Sequence, residues 1–206
     1  KVDPACFQSD LFRQRIRHFV AATERAKRVW VRIGEQLFRL RRRSRRNGNF
    51  RGVLTLSNQQ VDRLAEQGVI RDGWLHFEVL SRGNDNRLFQ GQVQLIESTG
   101  VSVISDIDDT MKTTQVHDLQ SMLENTFLEE FQPVDDLQSV YRQWAAEGAS
   151  FHYVSSSPWP LFEPLNEFCQ GEGFPRGSYH LRLLRLRDHM LRRLPVIRRR
   201  GKGGKI

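Results

Sequence analysis

The 206 residues are 38% hydrophobic and 27% charged, with a formal net charge of +8, enough for one good core or two small ones. No run approaches the roughly 18 uninterrupted apolar residues of a membrane-spanning helix, and the first residues lack a secretory signal pattern. The charge is concentrated: from Arg176 to Ile206 eleven Lys or Arg stand against Asp188 alone, or +10, leaving 21 basic against 23 acidic residues, or −2, elsewhere. That tail and the run Arg39 to Arg46 read most simply as solvated surface, with nucleic acid or an anionic membrane as functional alternatives. Cys6 and Cys169 have no metal-ligand spacing and form no disulfide framework, which fits a reducing, cytoplasmic compartment. Beginning at Lys1 and stopping at Lys205-Ile206 just as a pattern starts, the chain reads as a fragment.

In chain order, Leu11, Ile16, Phe19, Val20 and Ala26 recur near helical spacing, so residues 1–27 are predicted to carry an amphipathic helix over about Asp10 to Lys27. From Val29 the pattern alternates through Val31 and Ile33, then Phe38 and Leu40. After the Asn47-Gly48-Asn49 turn come Phe50, Val53, Leu54 and Leu56. Trp74 to Val79 and Phe89 to Ile96 continue the period of two around a Gly83 to Asn86 turn. Residues 28–98 are therefore expected to form a small antiparallel β-sandwich-like domain, and residues 99–206 a second domain.

After Gly100 the β-branched run Val101 to Ser105 ends in Asp106-Ile107-Asp108-Asp109-Thr110, the pattern of a buried parallel strand ending in carboxylates. Helices are predicted around Leu119 to Phe131 and Leu137 to Glu147. A further strand, Phe151 to Val154, runs into Ser155-Ser156-Ser157-Pro158. This order implies a parallel sheet with right-handed crossovers, whose ligands bind at the carboxyl ends of the strands. Asp106 and Asp108, two apart at a strand end, leave on the same side. One can then attack a phosphoryl group to give an aspartyl-phosphate. The other, held protonated, serves as acid and then base. Mg²⁺ suits such oxygen ligands. The bland alternative is an acidic turn, and for the serines a turn and helix cap; position alone singles out Ser155.

Trp159, Leu161, Phe162, Leu165 and Phe168 beside the serines read as core at helical spacing, with an apolar entrance as the alternative, and Pro164 suggests where a helix begins. His152 reads as a hydrogen-bonded core residue, and His117 as a loop residue above the site.

D-x-D-x-T after a hydrophobic strand, then a strand ending in serine, resembles the opening of the haloacid dehalogenase superfamily. The stretches GVSVISDIDDTMKTTQV, NTFLEEFQPV, FHYVSSSPWPLFEPLNEFC and GFPRGSYHLRLLRLRD resemble, more closely, the actin-patch phosphatidate phosphatase family of fungi and its bacterial relatives. The resemblance implies a doubly wound α/β catalytic domain, incomplete at its carboxyl end, and Mg²⁺-dependent hydrolysis of phosphatidate to diacylglycerol and phosphate. It implies Asp106 as nucleophile, Asp108 as general acid and base, and Ser155 as a phosphate-binding hydroxyl, with Thr110 and Ser156 as further substrate contacts. It places the metal on the Asp106 carboxylate, the Asp108 carbonyl and a later aspartate beyond this chain. Lys205, with Lys202 as alternative, is the expected phosphate-neutralising lysine. The implied partner is phospholipid at a membrane surface, not nucleic acid. The competing readings are a phosphatase of soluble phosphomonoesters and a basic binding module.

Overall fold

A computed structural model describes residues 8–20, 24–80 and 88–183. The chain divides into two compact units, one formed by Lys1–Ala21 together with Thr99–Ile206 and the other by Ala22–Ser98.

The Ala22–Ser98 unit contains β1 (Trp30–Ile33), β2 (Gln36–Arg39), α2 (Asn58–Glu66), β3 (Ile70–Arg71), β4 (Trp74–Leu80) and β5 (Phe89–Gln94). All its pairings are antiparallel. β4 pairs with β1 through Arg32↔Glu78, with β3 through Arg71↔Trp74, and with β5 along its length. Asp72 and Gly73, with φ of 50° and 75°, make the two-residue β3–β4 turn, the left-handed pair whose twist suits a hairpin. Val31 and Ile33 alternate inward and join Val29, Leu40, Leu64 and Leu75 in one core. The strands make one five-stranded sheet. The sandwich expectation is corrected here: the described residues of this unit contain no second sheet. The reason lies in 50–57, read as a strand from its apolar residues. It has no regular structure, and Val53 is 86% exposed. It leads into α2, which the sequence reading missed. Ser57 accepts from the Gln60 amide while the Gln60 side chain accepts from the Ser57 amide, a reciprocal cap that starts this helix.

The other unit contains α1 (Asp10–Val20), β6 (Ser102–Asp106), α3 (Leu119–Phe127), α4 (Leu137–Ala146), β7 (Ser150–Pro158), a 3₁₀ turn (Trp159–Leu161), α5 (Phe162–Gly171) and β8 (Gly177–Arg182). β6, β7 and β8 form a parallel sheet in that order, in register at Asp106↔Val154 and at Tyr153↔Tyr179. β8 was not read from sequence, because Tyr179, Leu181 and Leu183 alternate with basic residues. Helices cover one face. Phe151, Tyr153, Leu165, Phe168 and Cys169 fill the core, with Tyr141 of α4 and Phe19 of α1. Ile104 lies on the other face, 75% exposed, as do His152 and His180. His152 is hydrogen-bonded as expected, its Nδ1 2.7 Å from the Ser178 hydroxyl, but on this open face rather than in the core. Among the described residues the strand order advances in one direction only.

Candidate active site

Asp106 ends β6 and is solvent-exposed at the carboxyl edge of the parallel sheet. Its backbone is pinned from below, where the buried Tyr141 hydroxyl donates to Ser105 Oγ (2.9 Å) and Ser105 Oγ donates to the Asp106 carbonyl (2.9 Å).

Beyond β6 the chain folds into a tight loop. The amides of Thr110, Met111 and Lys112 all converge on the Ile107 carbonyl, and the Asp109 amide donates to the Lys112 carbonyl. Asp109 adopts φ 60°, a left-handed conformation that Asp tolerates. Its carboxylate accepts the amides of Thr114 (2.6 Å), Gln115 (2.6 Å) and Val116 (2.9 Å), so it staples the loop rather than facing the site. Ile107 and Met111 are fully buried beneath.

Asp108 is the hub. Its Oδ1 accepts from the Thr114 hydroxyl (3.0 Å) and lies 2.9 Å from Lys112 Nζ, which also donates to Thr114 Oγ1 (2.6 Å). Its Oδ2 accepts from the hydroxyls of Ser155 (2.6 Å) and Ser157 (3.1 Å) of β7. Burial works to raise the Asp108 carboxyl, but Lys112 and the hydrogen bonds from Ser155 and Thr114 outweigh it and hold the group below the usual carboxylate range. Four donors face Asp108, an arrangement that favours the carboxylate, whereas the sequence reading takes this group as protonated.

Ser155 is buried, donates to Asp108 and accepts the Ser157 amide (2.8 Å). Alternation along β7 puts Ser155 and Ser157 on one side and Ser156, which is exposed, on the other. The structure thus brings Ser157, not Ser156, to Asp108. Thr110 is half-buried in the loop, and the threonine hydroxyl on Asp108 is that of Thr114. Lys205 and Lys202 lie outside the described residues. The lysine found at the carboxylates is Lys112, side chain 1% exposed, its Nζ 4.6 Å from the centre of the Phe131 ring. The sequence reading did not single it out. The available signal was its position, four residues after Asp108 in a loop too short to carry it away.

The Asp106 carboxylate and the Asp108 carbonyl are oxygen donors of the kind Mg²⁺ prefers. The backbone bonds that close the loop use the carbonyls of Ile107 and Lys112 and leave that of Asp108 out. It lies two residues from the exposed Asp106 carboxylate, and both are hard oxygen ligands. The Asp108 side chain, with both oxygens engaged, is not among them. Among the described residues no group of three or more His, Cys, Asp or Glu is disposed to hold a metal.

Residues 101–205 match the family described as phosphatidate phosphatase APP1, catalytic domain. The chain is also similar to an uncharacterized protein of Schizosaccharomyces pombe, 32% identical over 100 residues that make up 47% of this chain and 16% of the relative. It thus spans about a sixth of that relative's length. No helix among the described residues is long and apolar enough to cross a membrane. With more than half of its length in the match, including the whole of the Asp106, Asp108 and Ser155 arrangement, the chain belongs to the APP1 phosphatidate phosphatase catalytic-domain family, a family of phosphatase enzymes.

Proposed function

We propose that this chain hydrolyses phosphatidate to diacylglycerol and phosphate through a phosphoryl group carried transiently on Asp106. The observation that supports the reading is, in a chain of this family, an exposed carboxylate ending β6 and, two residues on, a second carboxylate that Lys112 and the β7 serines hold in place.

An Asp106 oxygen attacks phosphorus, and the phosphorus–oxygen bond to glycerol breaks. The leaving oxygen needs a proton. Asp108 is ionised at rest, but a phosphate dianion beside it is a like charge that raises its affinity for a proton against the pull of Lys112. The proton it takes up goes to the glycerol oxygen. The carboxylate so regenerated takes a proton from the water that cleaves the Asp106–phosphorus bond. A serine hydroxyl has one proton. While Asp108 is protonated it donates to Ser155 or Ser157, and that hydroxyl becomes free to donate to a phosphate oxygen. The Asp106 carboxylate and the Asp108 carbonyl would hold Mg²⁺, which would supply the charge neutralisation a carboxylate needs to approach a phosphate. Lys205 is the proposed second cation on the phosphate.

The parallel sheet in this reading is part of a haloacid dehalogenase-type doubly wound domain, in which further strands extend the β6 edge. The site of action in this reading is a cytoplasmic membrane surface.

The test is release of inorganic phosphate from phosphatidate in mixed micelles, with and without Mg²⁺, by this chain, by a longer version and by an Asp106→Asn variant. Mg²⁺-dependent release that falls by at least about 10³-fold in Asp106→Asn is expected. Release from soluble phosphomonoesters alone refutes the lipid assignment, and full activity in Asp106→Asn refutes the mechanism.

A further inference from the structure

The helix after the serine strand begins with an aromatic cluster that the fold does not use up. Leu161, Leu165 and Phe168 are buried, but Trp159 and Phe162 stay 39% and 38% exposed. Their rings stand 5.8 Å apart, and Phe162 meets Tyr179 of β8 edge-on at 5.2 Å. On β8, Tyr179, Leu181 and Leu183 share a face by alternation. The first two pack against the core, and Leu183, one residue past the strand, is 54% exposed. Three large apolar side chains therefore protrude at the carboxyl ends of β7 and β8, the end that carries Ser155 and Ser157.

Among the described residues, the charges immediately beside this patch are Arg182 and a carboxylate that is already paired. Arg182 is exposed, sits in register with Pro158 immediately before Trp159, and makes no ion pair among the described residues. The acidic residue next to the patch, Glu163, is already held by Arg17 (3.1 Å) and His18 (2.9 Å), so it does not oppose an anionic partner. In the sequence, nine Lys or Arg and one Asp follow Leu183. Trp and Phe beside Arg make the side-chain set that sits at a bilayer interface: rings enter the headgroup and acyl boundary while guanidinium groups stay with the phosphates.

We infer that Trp159, Phe162 and Leu183, flanked by Arg182, form a docking surface that inserts shallowly into an anionic bilayer and holds the mouth of the active site at the lipid headgroups. This rests on the lipid reading above and deepens it by assigning the residues that bring enzyme and interface together. A docking surface raises the local substrate concentration without touching the phosphoryl group. Its loss therefore appears in apparent KM toward bilayer substrate, not in hydrolysis of a soluble ester.

The experiment is cosedimentation with phosphatidylcholine vesicles that contain or lack phosphatidylglycerol, an anionic lipid that bears no phosphomonoester and is not a substrate. Wild type is expected to bind the anionic vesicles preferentially. Trp159→Ala/Phe162→Ala is expected to bind at least about tenfold more weakly, since one buried aromatic ring contributes that much, while turning over a soluble chromogenic phosphomonoester at the wild-type rate. Arg182→Gln is expected to lose binding to the anionic vesicles only. Because the double variant removes two rings next to the core, Trp159→Phe provides a second reading. Brominated lipid quenches tryptophan fluorescence on binding in wild type, and this variant, with its bulk preserved, loses that quenching. Equal binding to neutral and anionic vesicles, wild-type binding by the double variant, or undiminished quenching in Trp159→Phe overturns the inference. Aromatic-dependent vesicle binding without phosphatidate turnover sustains the docking surface and removes the lipid substrate, so the two failures are distinct.

Discussion

Replacing Lys112 with Met removes the one buried cation on Asp108 while keeping most of the volume packed against Phe131. The two side chains are 1% and 11% exposed and their charged atoms 2.9 Å apart, so the pair is screened by protein rather than water. Breaking a buried pair by removing one partner costs about 3–5 kcal/mol, because the remaining charge is uncompensated. The hydroxyls of Thr114, Ser155 and Ser157 still reach Asp108 and soften that cost, which places the expected loss near ~3 kcal/mol. The assay is urea unfolding of wild type, Lys112→Met, Asp108→Asn and the double variant, with turnover of a soluble phosphomonoester measured on the first two. The double variant is expected to recover part of the loss, since neutralising Asp108 removes the orphaned charge. Lys112→Met is expected to lose kcat more than KM, because a misplaced Asp108 affects proton transfer more than binding. A loss below about 1 kcal/mol with unchanged kcat, or a double variant no more stable than Lys112→Met, would refute the reasoning.

Ser157→Ala removes a hydrogen bond to a carboxylate and is expected to lower kcat about tenfold, whereas Ser156→Ala, on the other side of β7, changes it less than about twofold; steady-state kinetics of both variants decides. Burial pushes the Cys169 thiol up to about 11 from its model-compound value of 9.0. A raised folded-state value contributes stability that is intact below 9.0 and declines as pH rises toward 11. Accordingly, in a Cys6→Ser background Cys169 should resist a thiol reagent at neutral pH until urea unfolds the chain, and unfolding midpoints should fall above pH 9.0. A methyl group on Gly177 would meet the Phe151 carbonyl at 2.8 Å across the β7–β8 pairing, so Gly177→Ala should lower stability by about 1–3 kcal/mol in the same unfolding assay.

The parts legible in the sequence were those in which local pattern and tertiary role agree. The run Val101 to Ser105 was legible as a parallel strand, and β6 forms there, but it pairs only with β7 among the described residues and leaves Ile104 exposed, so the expectation of a fully buried strand is corrected. Ser155 was legible from its place after a second apolar strand. What escaped reading was local chemistry without apolar periodicity. Asp72-Gly73 is a strong hairpin signal, and Ser57 followed three residues later by Gln60 is a capping signature, yet both lay between segments read for their hydrophobic pattern. Lys112 escaped for a different reason. No period marks a buried lysine, and its burial follows only from the Ile107 carbonyl drawing three amides into a turn. That Ser157 rather than Ser156 reaches Asp108 escaped reading because alternation has to be counted from Ser155, and three identical residues conceal the count.

Arg15 shows why α1 belongs with the phosphatase residues although much of the chain separates them. It is buried, and its guanidinium donates to the carbonyls of Thr126 (3.0 Å) and Glu129 (2.5 Å) at the end of α3. Carbonyls at a helix carboxyl end have no intrahelical partner and attract a cation. The same guanidinium lies 4.0 Å from the centre of the Phe131 ring, whose π face also receives Lys112. One aromatic ring therefore links a helix from the first residues of the chain to the cation that holds Asp108. The chain leaves this unit after α1 and returns at β6, so the contact closes a long loop. The entropic cost of that closure grows only slowly with the length of the intervening segment. A unit of separate fold can thus occupy Ala22–Ser98 at little cost to the catalytic unit, provided that the residues closing the loop are strongly held, as Arg15 is. A fragment beginning at Gly100 would keep Asp106, Asp108 and both serines but would leave Phe131 without Arg15 and the Thr126 and Glu129 carbonyls without their donor. The catalytic unit is therefore completed by a helix that a boundary drawn from the catalytic motifs alone would discard.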